Sequence, residues 1–515
     1  MPTQQQLLEA VKSGYTFKGE NVKIGRAMLD GNVVDNADVF LPLKTMNRHG
    51  LIAGATGTGK TKTLQLISEY LSDASIPVLL LDIKGDLSGL GAAGAINNTI
   101  DERCKLLNVT YKPASFPVEF FTLSDEPGVR LRATVSEFGP ILLSKILDLN
   151  DTQSGLVAII FKYCDDNRLP LLNLQDFIKV LQYVSNEGKA DIQKMYGNIS
   201  GTTAGTILRK VIELQQQGAD IFFGEPSIEV DDLMRISDDG RGMINILRVT
   251  DMQNHPKLFS TFMLQLLDEL YATSPEEGDL DKPKLILFID EAHLLFDEAT
   301  DALLQKIETI IKLIRSKGIG IFFCTQNPQD VPASILSQLG LKIQHALRAF
   351  TAADRKTIKQ AAENFPETSF YKTDELLTQM GIGEALVTLL NENGIPTPLV
   401  HTMLCAPRSR MNVLSDAELN AIIGNSKLAS KYNRSVDSES AYEILNNKLQ
   451  QAAIISQQQA QQQVQQKQQQ PKSQKETSIF DSPMMHQVER TAASVITRSV
   501  LGALGLGGRS RRSLF

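Results

Sequence analysis

The sixteen residues from His49 to Leu64, HGLIAGATGTGKTKTL, constrain the fold more than any other stretch of this chain. Within them, GATGTGKT matches the pattern GxxxxGK[ST]; an apolar run that predicts a strand precedes it, and a helical pattern follows. Glycines allow successive backbone N–H groups to point inward, and the helix N-terminus adds a partial positive charge. The stretch therefore predicts a loop that binds the phosphates of a nucleoside triphosphate.

Two residues of this loop have a specific predicted role. The ammonium group of Lys60 can reach the terminal phosphates, and the hydroxyl group of Thr61 can bind Mg²⁺. The predicted nucleotide-binding residues are Gly54, Ala55, Thr56, Gly57, Thr58, Gly59, Lys60, Thr61 and Thr63.

A second motif, KLILFIDEAH, is expected to complete this site. Its apolar run, residues 285–289, predicts a buried strand with Asp290 at its carboxyl end, the edge at which α/β sheets bind ligands. We expect Asp290 to bind Mg²⁺ through water and Glu291 to act as the general base on the attacking water. An Asp-Glu pair after a strand can also merely cap a helix.

Four further residues follow predicted strands. Gln326, in GIFFCTQNP, is expected to contact the γ-phosphate or the attacking water, although a glutamine at a strand end can be an ordinary loop residue. His293 either couples the nucleotide state to a partner or satisfies a local hydrogen bond. Asp82 and Lys84, in LLLDIKGDL, lie near the nucleotide or a subunit boundary, or form a turn with an exposed lysine.

Strand and helix patterns alternate from His49 onward, which indicates an α/β fold with a mostly parallel, doubly wound sheet. We predict that residues 1–48 form a short N-terminal β-meander, beginning with YTFKG. The ATPase domain is predicted at 49–410, with a helical insertion at 129–218 where the apolar spacing is helical.

The C-terminal part divides by composition. Residues 411–450 are predicted to be helical, with a capping box formed by Ser415 and Glu418. The glutamine-rich segment 451–476 is either a solvated helix or a disordered linker. The tail, 477–515, has an amphipathic helical pattern with glycines and arginines, as in a helix that packs on a partner or lies on a membrane surface.

Composition restricts the class of protein. No apolar run in the 515 residues approaches the length of a membrane span, and the N-terminus lacks a secretory signal, so we expect a cytoplasmic protein. The four cysteines have no CxxC spacing and are expected to be reduced core residues. A net charge of −7 argues against a wholly basic surface for nucleic acid but permits a local basic channel.

Together, several strings resemble the HerA/FtsK superfamily of P-loop ATPases, and specifically its bacterial HerA-like group. They are NRHGLIAGATGTGKT, LLDIKGDLSGL, LNDTQSG, LILFIDEAHLLF, LIRSKGIGIFFCTQNPQDVP and QHALRAFTAADRK. The resemblance implies a RecA-like sheet of order 5-1-4-3-2, a homohexameric ring, and ATP-driven movement of double-stranded DNA. It also implies that Arg48 acts on the site of a neighbouring subunit and that Arg348 is a second catalytic arginine; either could instead pair with a surface carboxylate.

Two functions agree with these features. The first is a ring-forming, Mg²⁺-dependent ATPase motor, helicase-like or translocase-like, that acts on DNA, with a nuclease or another protein as a possible partner. The second is an ATP-dependent assembly switch that remodels protein partners. A GTPase or a small-molecule kinase is disfavoured because the chain has no NKxD guanine-recognition motif and because Glu291 suits hydrolysis by water.

Overall fold

The computed structural model describes residues 3–250, 256–278, 280–296, 301–434, 436 and 438–468. The chain divides into two compact units, Met1–Lys448 and Leu449–Phe515. The described part of the second unit, 449–468, is helical. The predicted tail, 477–515, lies outside the described residues.

A single mixed sheet of twelve strands forms the centre of the first unit. The strands are β1 (Asn21–Leu29), β2 (Asn32–Pro42), β3 (Gly50–Ala53), β4 (Val78–Asp82), β5 (Val118–Thr122), β6 (Val129–Arg130), β7 (Ile244–Arg248), β8 (Leu285–Ile289), β9 (Ile319–Thr325), β10 (Leu341–Gln344), β11 (Glu384–Leu389) and β12 (Val400–Leu404). Their order across the sheet is β2-β1-β12-β11-β10-β3-β9-β8-β4-β7-β5-β6.

The parallel part of this sheet has the predicted RecA-like order. When β3, β4, β8, β9 and β10 are numbered one to five along the chain, their order in space is 5-1-4-3-2. Adjacent strands end level with one another, because Ala53 pairs with both Thr325 and Gln344. The segments that follow β3, β9 and β10 therefore lie side by side at the carboxyl edge.

The N-terminal segment corrects one part of the prediction. Only β1 and β2 form the predicted strands, whereas residues 15–19 are not a strand and residues 4–14 form a helix. The helix begins with a capping box between Thr3 and Gln6, and its buried Leu7 and Val11, four residues apart, face β2. β1 pairs with β12, so the hairpin extends the sheet as an antiparallel arm.

Helices cover the sheet and form the insertion. They are α1 (Gln4–Gly14), α2 (Lys60–Asp73), α3 (Asn98–Leu107), α4 (Val135–Ile146), α5 (Asp151–Asn167), α6 (Leu174–Ser185), α7 (Lys189–Tyr196), α8 (Gly201–Gln216), α9 (Ala219–Phe222), α10 (Pro256–Thr273), α11 (His293–Phe296), α12 (Asp301–Ile314), α13 (Ala333–Leu336), α14 (Ala352–Glu363), α15 (Thr373–Gln379), α16 (Asp416–Gly424), α17 (Lys427–Tyr432) and α18 (Ala441–Gln468). The predicted insertion contains α4 to α8 and continues into α9.

The C-terminal elements agree with the predicted pattern where they are described. After the antiparallel pair of β11 and β12, Ser415 and Glu418 form the predicted capping box at the start of α16. For the glutamine-rich segment, the helical alternative holds as far as Gln468. The domain limits themselves stay predictions.

A buried carboxylate fastens α2 to the segment that follows β12. Glu69 is fully buried and accepts hydrogen bonds from the backbone N–H groups of Arg408 and Ser409, at 2.8 and 2.9 Å. The side chain of Gln65 donates to the carbonyl oxygen of Arg410, at 2.9 Å. Because α2 begins at the phosphate loop, these bonds fix the helix on which the loop rests.

Two sequence expectations concern membrane and redox chemistry. Within the described ranges, none of the helices combines the length and the apolar character that crossing a bilayer requires. The four cysteines are free thiols; Cys104, Cys164 and Cys324 are buried and Cys405 is partly buried.

Candidate nucleotide-binding and hydrolysis site

The predicted phosphate loop connects the carboxyl end of β3 to the first residue of α2. Two of its glycines lie at positive φ and have little or no room for a side chain. A Cβ atom on Gly54, at φ 152°, would come within 2.5 Å of the Cβ atom of His345. At Gly59, with φ 114°, it would come within 3.2 Å of the backbone nitrogen of Gly383. The motif therefore needs glycine here for space as well as for conformation.

Two hydrogen bonds hold the loop from the side of β3 on which β10 and β11 lie. The N–H group of Ala55 donates to the carbonyl oxygen of Ala346 at 2.8 Å, and the N–H group of Gly383 donates to the carbonyl oxygen of Thr58 at 3.0 Å. These bonds come from the ends of β10 and β11, so the loop is shaped before any ligand binds.

Lys60 lies inside this loop. Its ammonium group donates to the carbonyl oxygens of Gly54 and Ala55, at 2.6 and 3.3 Å. Burial, and then the positive charge of Lys84, lower the pKa of Lys60, while Glu291 and Asp290 oppose that shift. Lys60 therefore interacts electrostatically with the acidic pair of the second motif.

Thr63 has a partner other than the loop. Its hydroxyl group is buried and lies 2.9 Å from Nε2 of His345. Burial lowers the pKa of His345 to about 4, so this imidazole is neutral near pH 7. The contact ties α2 to the end of β10, and it gives Thr63 a structural role that the motif alone did not indicate. Its predicted part in nucleotide binding stays a prediction.

Asp290 follows β8 at the carboxyl edge, as predicted. Burial, and then the neighbouring Glu291 carboxylate, raise the pKa of Asp290 to about 6. A cation beside this carboxylate would offset both effects. Mg²⁺ commonly uses one or two protein oxygens and completes its shell with phosphate oxygens and water. Asp290, together with Thr61 at the start of α2, fits that requirement.

Glu291 is buried, with 4% of its surface exposed, and has a φ of 46°. A left-handed conformation is uncommon for a glutamate and is typical of residues held in place at functional sites. Its carboxylate forms an ion pair with Lys84 and lies 3.3 Å from Nδ1 of His293. Of the two roles considered for His293, the structure therefore shows a local contact, with the side chain of Glu291.

The turn after β4 decides between the alternatives for Asp82 and Lys84. Asp82 accepts hydrogen bonds from the N–H groups of Gly85, Asp86 and Leu87, at 2.7, 3.2 and 3.1 Å. Because β4 pairs directly with β8, this turn brings Lys84 to Glu291. Lys84 therefore belongs to the acidic pair and is not an isolated surface lysine.

Gln326 and Arg348 line one cavity of about 200 Å³ together with Ala55 of the phosphate loop. Both side chains are exposed to solvent. Asp330 fixes the turn after β9, since it accepts hydrogen bonds from the hydroxyl group of Thr325 and from the N–H group of Asn327. The structure thus places these two predicted residues beside the loop of their own chain.

Arg48 lies elsewhere. It ends the 3₁₀ helix before β3, and β3 carries the phosphate loop at its other end. The guanidinium group donates to the carbonyl oxygens of Asn391 and Glu392, at 3.4 and 3.3 Å. Arg48 is therefore at the opposite edge of the sheet from its own phosphate loop.

Sequence reasoning did not assign His345 or Gly383 to the site. Both lie in segments that support the loop from β10 and β11, and neither belongs to a phosphate-binding motif. One signal was available for His345: it is a polar residue directly after β10, the next strand along the chain after Gln326. The GIG turn before β11 carried no comparable signal.

The fold, the phosphate loop after β3 and the acidic pair after β8 define the class: this is a P-loop ATPase. The chain belongs to the family described as Helicase HerA-like C-terminal, whose model matches residues 28–511.

Relatives and solved structures agree with this assignment. The chain is 23% identical over 391 residues to the DNA double-strand break repair helicase HerA of Saccharolobus solfataricus, covering 75% of this chain and 69% of the relative. It is 23% identical over 360 residues to the DNA import protein CedB of Sulfolobus acidocaldarius, covering 69% and 52% of the two chains. The plasmid coupling protein TrwB in complex with ADP and Mg²⁺ shares the fold, with a TM-score of 0.50 at 13% identity over 79% of this chain and 94% of that one.

Proposed function

We propose that this protein is a Mg²⁺-dependent ATPase motor that acts on double-stranded DNA as a homohexameric ring. One observation carries the proposal: the phosphate loop, Glu291 and Gln326 follow three adjacent parallel strands, β3, β8 and β9, at the same edge. This arrangement can bind a nucleoside triphosphate and orient a water molecule toward its γ-phosphate. The cytoplasmic location stays a prediction of the sequence.

Residues 54–61 would hold the phosphates of ATP, with the N–H groups of the loop and the ammonium group of Lys60 as donors. Thr61, and Asp290 through water, would hold Mg²⁺, which when bound neutralises phosphate charge. Lys60 would exchange its bonds to two loop carbonyl oxygens for bonds to phosphate oxygens.

Glu291 is the proposed general base. Its carboxylate accepts a proton from the attacking water, while Lys84 and His293 keep the side chain in place. The amide of Gln326 orients the same water from the neighbouring strand. Arg348, from the same cavity wall, would stabilise the charge on the phosphoryl group within the subunit.

The proposed role of Arg48 requires a second subunit. Since it lies at the opposite edge of the sheet from its own phosphate loop, any γ-phosphate that it contacts belongs to a neighbour. Its guanidinium group contacts backbone carbonyl oxygens in the β11–β12 loop, which position it. A closed ring would supply the neighbour at every interface.

Duplex DNA is the proposed substrate because two relatives carry names that refer to DNA. The test is steady-state ATP turnover with and without linear duplex DNA, with Lys60→Ala as the inactive control. We expect duplex DNA to raise turnover several-fold, and particle images with an ATP analogue to show sixfold rings. Unchanged turnover, with DNA binding absent in a gel-shift assay, would contradict the DNA motor.

The second candidate is the assembly switch that remodels protein partners. The observation in its favour is that the insertion exposes large apolar side chains: Ile141 on α4 is 70% exposed and Met195 on α7 is 69% exposed. Such side chains are typical of contact surfaces when they cluster. ATPase activity that does not respond to DNA would favour this candidate.

A further inference from the structure

The turn that precedes β11 exposes a large aliphatic side chain next to the phosphate loop. Its sequence is Gly381-Ile382-Gly383, and 69% of the surface of Ile382 is exposed. The N–H group of Gly383 donates to the carbonyl oxygen of Thr58 at 3.0 Å. Ile382 is therefore one residue away from a direct bond to the loop.

The backbone of this turn is fixed from several sides. Arg103 of α3 donates to the carbonyl oxygens of Ile382, Gly383 and Leu404, at 2.9, 3.1 and 2.9 Å. The N–H group of Gly381 donates to a carboxylate oxygen of Glu384 at 2.9 Å. A turn held in this way cannot fold its apolar side chain inward, so Ile382 stays in solvent unless a ligand covers it.

The direction in which a bound nucleotide extends follows from the sheet order and rests on the proposed function. The γ-phosphate must face Glu291 and Gln326, which follow β8 and β9 on one side of β3. The nucleoside end then extends to the other side of β3, where β10 and β11 lie. Ile382 is exposed on that side, directly beyond Thr58 and Gly59.

We infer that Ile382 is the apolar platform on which the base of the nucleoside triphosphate packs. An aliphatic side chain packs against the face of a purine through dispersion and the loss of apolar surface to water. The carbonyl oxygen of Ile382 already accepts a hydrogen bond from Arg103, so we expect the base to contact the side chain of Ile382. This contact raises the affinity for the nucleoside part of the ligand and leaves the affinity for the phosphate groups unchanged.

Two ligands separate these contributions. Isothermal titration calorimetry, with Mg²⁺ present, compares a non-hydrolysable ATP analogue with inorganic tripolyphosphate, which has no base. We expect Ile382→Ala to weaken binding of the ATP analogue about three- to tenfold, because a base covers only one face of the side chain and so buries the apolar surface of about one to two CH₂ groups. Binding of tripolyphosphate should stay unchanged. Ile382→Leu should retain most of the affinity.

A matched control is Ile141→Ala, because Ile141 on α4 has nearly the same exposure, 70% against 69%. It should bind both ligands like the wild type. The inference is overturned if Ile382→Ala binds the ATP analogue as tightly as the wild type, or if it loses affinity for both ligands equally, which would make the residue a support of the loop. Failure of the proposed function gives a different result: neither ligand binds the wild type, or Lys60→Ala binds both as well as the wild type does.

Discussion

Lys84 and Glu291 form an ion pair between the ends of two adjacent parallel strands, β4 and β8. The side chain of Glu291 is 6% exposed and that of Lys84 is 36% exposed. If the cation is removed, the buried carboxylate is still out of water but has lost the attraction that offsets its desolvation, which destabilises the folded state. The pair therefore holds the proposed base in place and also affects the stability of the fold.

We predict a favourable coupling between these two residues in a double-mutant cycle. Lys84→Met should destabilise the wild type more than it destabilises Glu291→Gln, with a coupling free energy of about 1–2 kcal/mol because Lys84 is partly solvated. Urea unfolding of the four proteins measures it. The matched control is the surface pair Lys105 and Asp101, whose side chains are 73% and 44% exposed and whose coupling should stay below about 0.5 kcal/mol. Equal couplings for the two pairs would contradict the prediction.

Glu291→Gln should bind ATP and hydrolyse it at least about a hundredfold more slowly, because the amide cannot accept the proton of the attacking water. Binding by calorimetry and turnover by phosphate release measure the two effects separately. Glu375→Gln, on the exposed face of α15, is the control and should keep normal turnover. If Glu291→Gln loses binding and folding together, Glu291 is a structural residue.

Arg48→Ala should bind ATP normally and hydrolyse it slowly, since an arginine acting in trans contributes mainly in the transition state. Mixing it with Lys60→Ala subunits should restore part of the turnover, because some interfaces then combine an intact Arg48 with an intact phosphate loop. Arg209→Ala, an exposed arginine of α8, should be fully active alone. If subunit exchange is verified and the mixture stays inactive, the assignment in trans is wrong.

The contribution of His49 to the stability of the fold should fall as the pH drops from about 6.5 towards 4. His49 is buried, its Nε2 atom lies 2.8 Å from the carbonyl oxygen of Ile311, and its Nδ1 atom accepts the N–H group of Ile321 at 3.0 Å. Burial lowers its pKa from 6.5 to about 4. The unfolded chain therefore binds a proton in this window before the folded protein does, which favours unfolding.

His49→Gln should lower the slope of the unfolding free energy against pH by up to about 1.4 kcal/mol per pH unit in this window, the contribution of one proton. The free energy of unfolding in urea at a series of pH values measures the slope. Leu71→Ala, a buried substitution without a titrating group, should lower stability at every pH and keep the wild-type slope. An unchanged slope in His49→Gln would show that His49 is not a source of the effect.

The sequence predicted those parts of the site that depend on consecutive residues. The phosphate loop needs glycines beside a strand and a helix, and the chemistry of Asp290 and Glu291 needs one buried strand. The pairing of Lys84 with Glu291 could not be predicted from the local sequence, because it arises only when β4 lies next to β8. The contact of Thr63 with His345 also joins distant segments. Both residues are polar, so hydrophobic periodicity gives no indication that they are buried together.

Local patterns misled the prediction for the N-terminal region. The segment YTFKG has strand-forming residues, yet Tyr15 caps the end of α1, and its hydroxyl group lies 2.9 Å from the carbonyl oxygens of both Val387 and Pro398 and can donate to either. Tertiary contacts to β11 and to the β11–β12 loop therefore override the strand propensity. The assignments of individual site residues to ATP, Mg²⁺ and hydrolysis stay predictions that the experiments above address.

The antiparallel arm has a consequence for synthesis on the ribosome. β1 leaves the ribosome early, but its partner in the main sheet is β12, since Gly25 pairs with Leu404. At about 5–20 residues per second, the hairpin waits roughly 20 to 80 s before that partner has been made. During this interval one edge of β1 has unpaired backbone groups and can pair with other nascent chains. We therefore expect the newly made chain to depend on chaperones until the last strand of the sheet is complete.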